Sequence, residues 1–165
     1  MKKMPSFRNI KELKNHLNTI LINAMDKVGD TALEHMKKHV SDKMQDRVSN
    51  QSGLYDRTYE YLLSIEKIKA HLTLSGAVEV IIHYNTDGIN PYIIMNSSGL
   101  WNKHADFNGN DVSSLIPLFL EEGTPNNPYY EHEPVGGIAN LEEWAKKYFK
   151  SELKKELKKL GINTK

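Results

Sequence analysis

Between Pro5 and Pro91 the chain contains no proline, and over the first half of that stretch apolar residues return every three or four positions. They are Ile10, Leu13, Leu17, Ile20, Leu21, Ala24, Met25, Val28, Ala32, Leu33, Met36, Val40 and Met44. This spacing places them on one stripe of an α-helix, so residues 6–50 read as one long helix or two in series. Ser6 is the expected N-cap, and Gly29-Asp30-Thr31 is the point where a kink or restart is expected. Unbroken, roughly 40 residues at ~1.5 Å each reach about 60 Å, which is wider than a small domain. Such a helix needs a neighbour along its stripe, either the rest of the chain or another subunit.

The period changes further on. Residues 47–64 form a connector with a helix-like piece beginning at Tyr55. Then Ile68, Ala70, Leu72 and Leu74 alternate with polar residues, Ser75-Gly76 supplies a turn, and Val78, Val80, Ile82 and Tyr84 alternate again. That is the pattern of a β-hairpin with one buried face. Residues 85–110 are rich in Asn, Gly and Asp and read as a long loop with one short extended piece at Tyr92–Met95. Asp111 is placed to cap a short helix, Val112–Glu122, containing Pro117 and closed by Gly123 in the left-handed conformation. A second loop, Thr124–Asn140, carries Pro125, Pro128, Pro134 and Gly136-Gly137. The chain then ends in an amphipathic helix with its stripe at Leu141, Trp144, Ala145, Tyr148, Phe149, Leu153, Leu157 and Leu160. Asn140 is its expected cap, Glu142 and Glu143 its first turn, and Gly161 its stop. The expected fold is α+β in a single domain, residues 1–165: a long N-terminal helix and a C-terminal amphipathic helix packed on a small antiparallel sheet, with long loops.

Composition narrows the function. The 165 residues carry 22 Lys+Arg against 21 Asp+Glu, a net charge of +1, which is not the strongly basic footprint of a dedicated nucleic-acid binder. The charge is segregated, however. Residues 1–50 hold 10 basic against 6 acidic side chains, residues 51–140 hold 4 against 11, and residues 141–165 hold 8 against 4. Two basic helical ends therefore flank an acidic middle. With no cysteine there is no disulfide, thiolate metal site or cysteine nucleophile. No apolar run is long enough to span a bilayer, and the basic start has no apolar segment behind it, so a soluble protein made in the cytoplasm is expected, without membrane association.

Few residues suggest catalysis. His35 and His39 share a helix face, but Glu34 precedes the first histidine instead of following it, and Lys37 and Lys38 lie between the two. That order differs from a zinc peptidase helix, and the pair reads as a solvated face. Glu131-His132-Glu133 is a cluster of potential metal ligands in a loop, without a partner pair at ligand spacing. Glu121-Glu122 and Glu142-Glu143 are adjacent carboxylates, which do not face each other across a substrate. No phosphate loop, nucleophile elbow or dinucleotide fingerprint is present. Lys146, Lys147, Lys150, Lys154, Lys155, Lys158 and Lys159 lie largely opposite the apolar stripe and read as a solvated face.

Two stretches carry a resemblance. The first is Tyr55-Asp56-Arg57-Thr58, followed by Leu62, Leu63, Ser64 and the hairpin. The second is Leu118-Phe119-Leu120-Glu121-Glu122-Gly123-Thr124-Pro125, followed by a proline-containing loop and the closing helix. Together with the long first helix, this order resembles the tailed-phage neck and tail-completion proteins, the gene-product-ten-like head–tail connector family. The chain departs from that pattern in having Tyr59 after Thr58, where the family has glycine, in lacking the preceding proline, and in the inserted loop 85–110.

The resemblance implies a virion structural protein of the head–tail junction, assembled in the host cytoplasm. It implies a hexameric or dodecameric homo-oligomeric ring that docks neighbouring head-completion, tail-terminator or tail-tube proteins, lets DNA pass without specific binding, and carries no cofactor and no catalysis. The assembly candidates are Tyr55, Arg57, Thr58, Glu122, Gly123 and Thr124. The acidic middle could meet the basic flank of the next subunit or line the channel, where it would repel DNA. Two other readings are a metal-dependent enzyme using His35, His39, Glu131, His132 and Glu133, and a helical adaptor whose long helix pairs with a partner's coiled coil.

Overall fold

A computed structural model describes residues 6–48, 60–87, 92–96, 99–102, 115–123 and 133–163. Among them the chain order is α1 (Ile10–Val48), α2 (Glu60–Leu63), β1 (Ile65–Leu72), β2 (Val78–Tyr84), β3 (Tyr92–Asn96), β4 (Gly99–Asn102), α3 (Ile116–Glu122) and α4 (Gly137–Lys159). The α+β expectation holds: two long helices and an antiparallel β1–β2 hairpin pack together. The extended piece expected at Tyr92–Met95 is β3, and it pairs with a strand not anticipated, β4, in a separate two-stranded sheet.

Helix α1 is a single unbroken element of 39 residues. Its cap is Asn9 and not Ser6: Asn9 Oδ1 accepts the Glu12 N–H at 2.9 Å, while the Glu12 carboxylate reaches back to accept the Arg8 N–H at 2.9 Å. The first bond satisfies an N–H that the helix start leaves without an intrahelical partner, and the second ties the residue ahead of the cap to the first turn. Gly29 does not kink the helix. A Cβ there would lie 2.5 Å from Val80 Cγ2 and 2.9 Å from Lys67 Cδ, so Gly29 is where the hairpin crosses α1 at close quarters.

Hairpin and α4 cover the middle and C-terminal half of the α1 stripe. One cluster joins Met36 and Val40 to Ile65 and Val135, with Leu62, Ile82 and Leu141 against it. A second joins Val28 and Ala32 to Trp144, with Phe149 and Leu153 alongside. Contacts that pair the late turns of α1 with the start of α4, and its earlier turns with Phe149 and Leu153, make the two helices antiparallel. Helix α4 ends in a Schellman motif: the Ile162 N–H bonds the Leu157 carbonyl, the Gly161 N–H bonds the Lys158 carbonyl, and Gly161 takes φ 87°.

The hairpin differs from simple alternation. The register shifts between Ile68 and His71, a bulge that reverses which side chains face inward. The covered face of β1 is Ile65, Lys67 and Ala70, while Ile68 pairs with Ile81 and both are exposed. Leu74, expected on the buried face, sits in the turn and is fully exposed. Gly76 at φ 84° closes that turn.

Candidate functional site

The first polar centre lies under the hairpin. Asp26 and Asp30 stand four apart, on one face of α1, and β1 lays Lys67 across them. The Lys67 ammonium donates to Asp26 Oδ1 at 2.9 Å, to the Asp26 carbonyl at 3.0 Å and to Asp30 Oδ1 at 2.5 Å. All three of its donors are thereby used, and only 10% of the side chain is exposed. Asp26 Oδ1 also accepts the Ala70 N–H at 3.1 Å, next to the bulge. Hydrogen bonding from Lys67 holds both carboxyls below the usual carboxylate range, against the opposing effect of burial. For Lys67 itself burial is the largest single influence and favours the neutral amine, but the bonds to Asp30 and Asp26 outweigh it and keep the ammonium pKa above its ordinary value. The arrangement pins hairpin to helix.

The second centre lies at the start of α4. This helix begins at Gly137, four residues earlier than the sequence pattern places it, and its N-cap is Gly136 in the left-handed conformation, φ 63° and ψ 43°. Asn140 is therefore in the first turn and not at the cap, and Glu142 and Glu143 lie beyond that turn. Gly136 has no side chain with which to cap. Glu121 of α3 does so from outside: its two carboxylate oxygens accept the Ile138 N–H at 3.0 and 2.9 Å, and one also accepts the Tyr84 hydroxyl at 2.7 Å. A carboxylate is favourable there because the helix N-terminus carries partial positive charge. Burial, then the hydrogen bond and charge of Glu121, push the Tyr84 phenol well above its ordinary pKa. Gly137 makes the junction fit, since a Cβ would come within 2.8 Å of Val40 Cγ2, 2.9 Å of Glu121 and 3.0 Å of the Tyr84 oxygen. Three elements and the helix α1 meet on this one glycine.

The histidines are not a solvated face. His35 Nε2 is 2.7 Å from Asn140 Oδ1, and the ring stacks on Trp144 with centroids 5.7 Å apart. His39 Nε2 donates to the Val135 carbonyl at 2.9 Å. Both are half-buried and tie α1 to the entry of α4. Their shared face is explained by helix packing, and among the described residues no group of three or more His, Asp or Glu is placed to hold a metal. The seven lysines of α4 are exposed, as their spacing indicates, and several pair with Glu142, Glu152 and Glu156 along the helix.

Of the assembly candidates, Tyr55, Arg57, Thr58 and Thr124 lie outside the described residues, as do Glu131 and His132. Glu122 is exposed at the end of α3, and Gly123 follows it, buried, with φ 77° in the left-handed region expected of a helix stop. Pro117 falls in the first turn of α3, where its missing N–H costs nothing. Glu121, Tyr84, Asp26, Asp30 and Lys67 are the polar residues that sequence reasoning passed over. Asp26 and Asp30 at helical spacing around Gly29 were the available signal, while nothing local marks Glu121 as the cap of a helix that begins 16 residues later. No helix among the described residues is long and apolar enough to cross a membrane. No family model, curated protein or solved structure matches the chain.

Proposed function

We propose that this chain is a structural protein of a tailed-phage or phage-derived particle, a homo-oligomeric ring component of the head–tail junction that acts by assembly and without catalysis. The observation that carries the reading is the uncovered end of the α1 stripe. Ala24 to Val40 are enclosed by the chain's own elements, whereas Ile10, Leu13 and Leu17 on the same stripe are 84%, 39% and 46% exposed. A stripe left bare at one end of a long helix needs a partner surface. The resemblance of the sequence to the connector family, with Gly123 closing α3 ahead of the last helix, supports the reading. The polar centres support a building block, because their groups are used in joining elements to one another. Ring closure requires two different patches on each subunit, and the segregated charge supplies opposite signs.

The same bare stripe favours one other reading, a helical adaptor that pairs with a partner's coiled coil. Electron microscopy of the purified protein, and immunolabelling of particles, tests both. The ring reading expects annular species of the isolated protein and label at the head–tail junction. A chain that stays monomeric or dimeric at all concentrations, and is missing from particles, would overturn it in favour of the adaptor.

A further inference from the structure

We infer that subunits join through the exposed tip of α1 on one copy and an acidic-rimmed groove between α3 and α4 on the next; the inference rests on the ring reading and names its contact. The groove has a volume of about 650 Å³ and a largely apolar floor of Pro117, Leu118, Ile138 and Ala139. Leu118 and Ile138 are each 47% exposed, which is high for neighbouring aliphatic side chains. Glu122 and Glu142 stand on its rim, both exposed. Glu121 forms the inner wall, already engaged with Tyr84 and Ile138.

The tip offers the complementary chemistry. Ile10, Leu13 and Leu17 form its apolar edge, and Lys11 and Lys14, three apart and both exposed, flank that edge on one side. A basic-flanked apolar ridge matches an apolar groove rimmed by carboxylates, and opposite charges steer the approach and fix its register.

The occupant cannot be the chain's own tip. Val40 lies against Gly137 at the groove end of the molecule, while Leu13 is 27 residues earlier on the same unbroken helix. That separation is roughly 40 Å of rigid rise. The tip therefore reaches a groove only on another copy. A contact between two tips would bring lysine flanks together, which like charges oppose. Tip-to-groove contact is heterologous: each subunit keeps one free tip and one free groove, and the chain of contacts closes into a ring or continues as a filament.

The test uses full-length variants with charge reversed on exposed residues, checked for unchanged circular dichroism and melting temperature. Lys11→Glu with Lys14→Glu disables the tip; Glu122→Lys with Glu142→Lys disables the groove. Sedimentation velocity should show each variant alone dissociating with a constant raised about tenfold or more over the unaltered protein. Mixing the two variants should restore assembly with the two alternating, since an intact tip then meets an intact groove and a reversed tip meets a reversed groove. Combining all four reversals in a single chain should restore assembly. If both variants assemble as the unaltered protein does, this contact is wrong and the ring reading stands. If the groove variant alone dimerises while the tip variant does not, the tips meet each other and the inference fails. Open filaments that these variants abolish would keep the contact and refute the ring. An unaltered protein that never self-associates refutes both.

Discussion

Replacing Gly29 by alanine sets two known effects against each other. In a helix interior alanine is favoured over glycine by about 1 kcal/mol, because glycine loses more backbone freedom on folding. At Gly29, however, the new Cβ would sit 2.5 Å from Val80 Cγ2 and 2.9 Å from Lys67 Cδ. Neither neighbour moves easily: Val80 is branched at Cβ and held in a strand, and the end of Lys67 is bound by Asp26 and Asp30. Overpacking of this kind costs roughly 1–3 kcal/mol, towards the upper end where the clashing atoms are near backbone. The net expectation is a loss of about 1–2 kcal/mol, read by urea denaturation followed by circular dichroism. Val80→Ala alone should cost about 1 kcal/mol, as the side chain is only partly buried. In that background Gly29→Ala should become neutral to within about 0.5 kcal/mol, giving a coupling of about 1–2 kcal/mol in the double-mutant cycle. A Gly29→Ala protein as stable as the unaltered one, or a cycle with no coupling, would refute the account of Gly29 as the crossing point and return it to a tolerated helix glycine.

Two further outcomes follow from the polar centres. Lys67→Met should lower stability at neutral pH by about 1–3 kcal/mol; removing one partner of a buried pair costs more, but Asp26 and Asp30 keep some access to water. Because hydrogen bonding to Lys67 depresses both aspartate pKa values in the folded protein, their contribution is complete above about pH 4 and is lost as pH falls through the depressed values, so the gap between variant and unaltered protein should narrow there. A gap unchanged from neutral to strongly acidic pH would contradict this, as measured by denaturation across the range. Glu121→Ala should cost about 1–3 kcal/mol through the lost cap and the unpaired Tyr84 hydroxyl, and Glu121→Gln less, because an amide oxygen still accepts. Absorbance titration of tyrosine should show the Tyr84 phenol moving down towards its ordinary value in either variant, since the carboxylate charge no longer opposes ionisation. Equal stability of the alanine variant and the unaltered protein would remove Glu121 from the cap.

Those centres also separate what the sequence makes legible from what it does not. The stripe of α1 and that of α4 are visible because helical period is a local property, and the residues on them from Ala24 to Val40 and from Leu141 to Leu153 are the ones that pack. The hairpin is visible for the same reason, yet its inward face is misread at Ile68 and Lys67, because one extra residue between Ile68 and His71 reverses the alternation. That bulge serves an interaction 44 residues away, the Ala70 N–H to Asp26, and no window of neighbouring residues contains both ends. The start of α4 is misplaced in the same way. Local rules favour Asn140 as a cap, but Glu121 supplies the capping oxygens from another helix, and Asn140 is left to bond His35. His35 and His39 look solvated at the level of sequence because both are polar and flanked by lysines; they are drawn inward by Trp144 and by a loop carbonyl that only the fold brings near.

The distribution of these long-range ties bears on assembly. All of them lie on the half of α1 from Asp26 onward: Asp26 and Asp30 to the hairpin, His35 and His39 to the α4 entry, and Val40 against Gly137. On the tip, the described polar bonds are local, such as those of Asn9 and Glu12 with their own turn. Rigidity is thus conferred at one end and chemical exposure left at the other. An isolated helical projection with a bare apolar edge is marginal by itself, since short helices depend on packing for most of their stability. Here the tip inherits its helical conformation from continuity with a clamped segment, so it loses little conformational freedom when it docks. The consequence is measurable by hydrogen exchange. Amides from Lys11 to Thr19 should exchange much faster than those from Val28 to Val40 in the unassembled protein, and should slow on self-association while the clamped half changes little. Tip amides already as protected as the core before association would remove the tip from consideration as the surface completed by a partner.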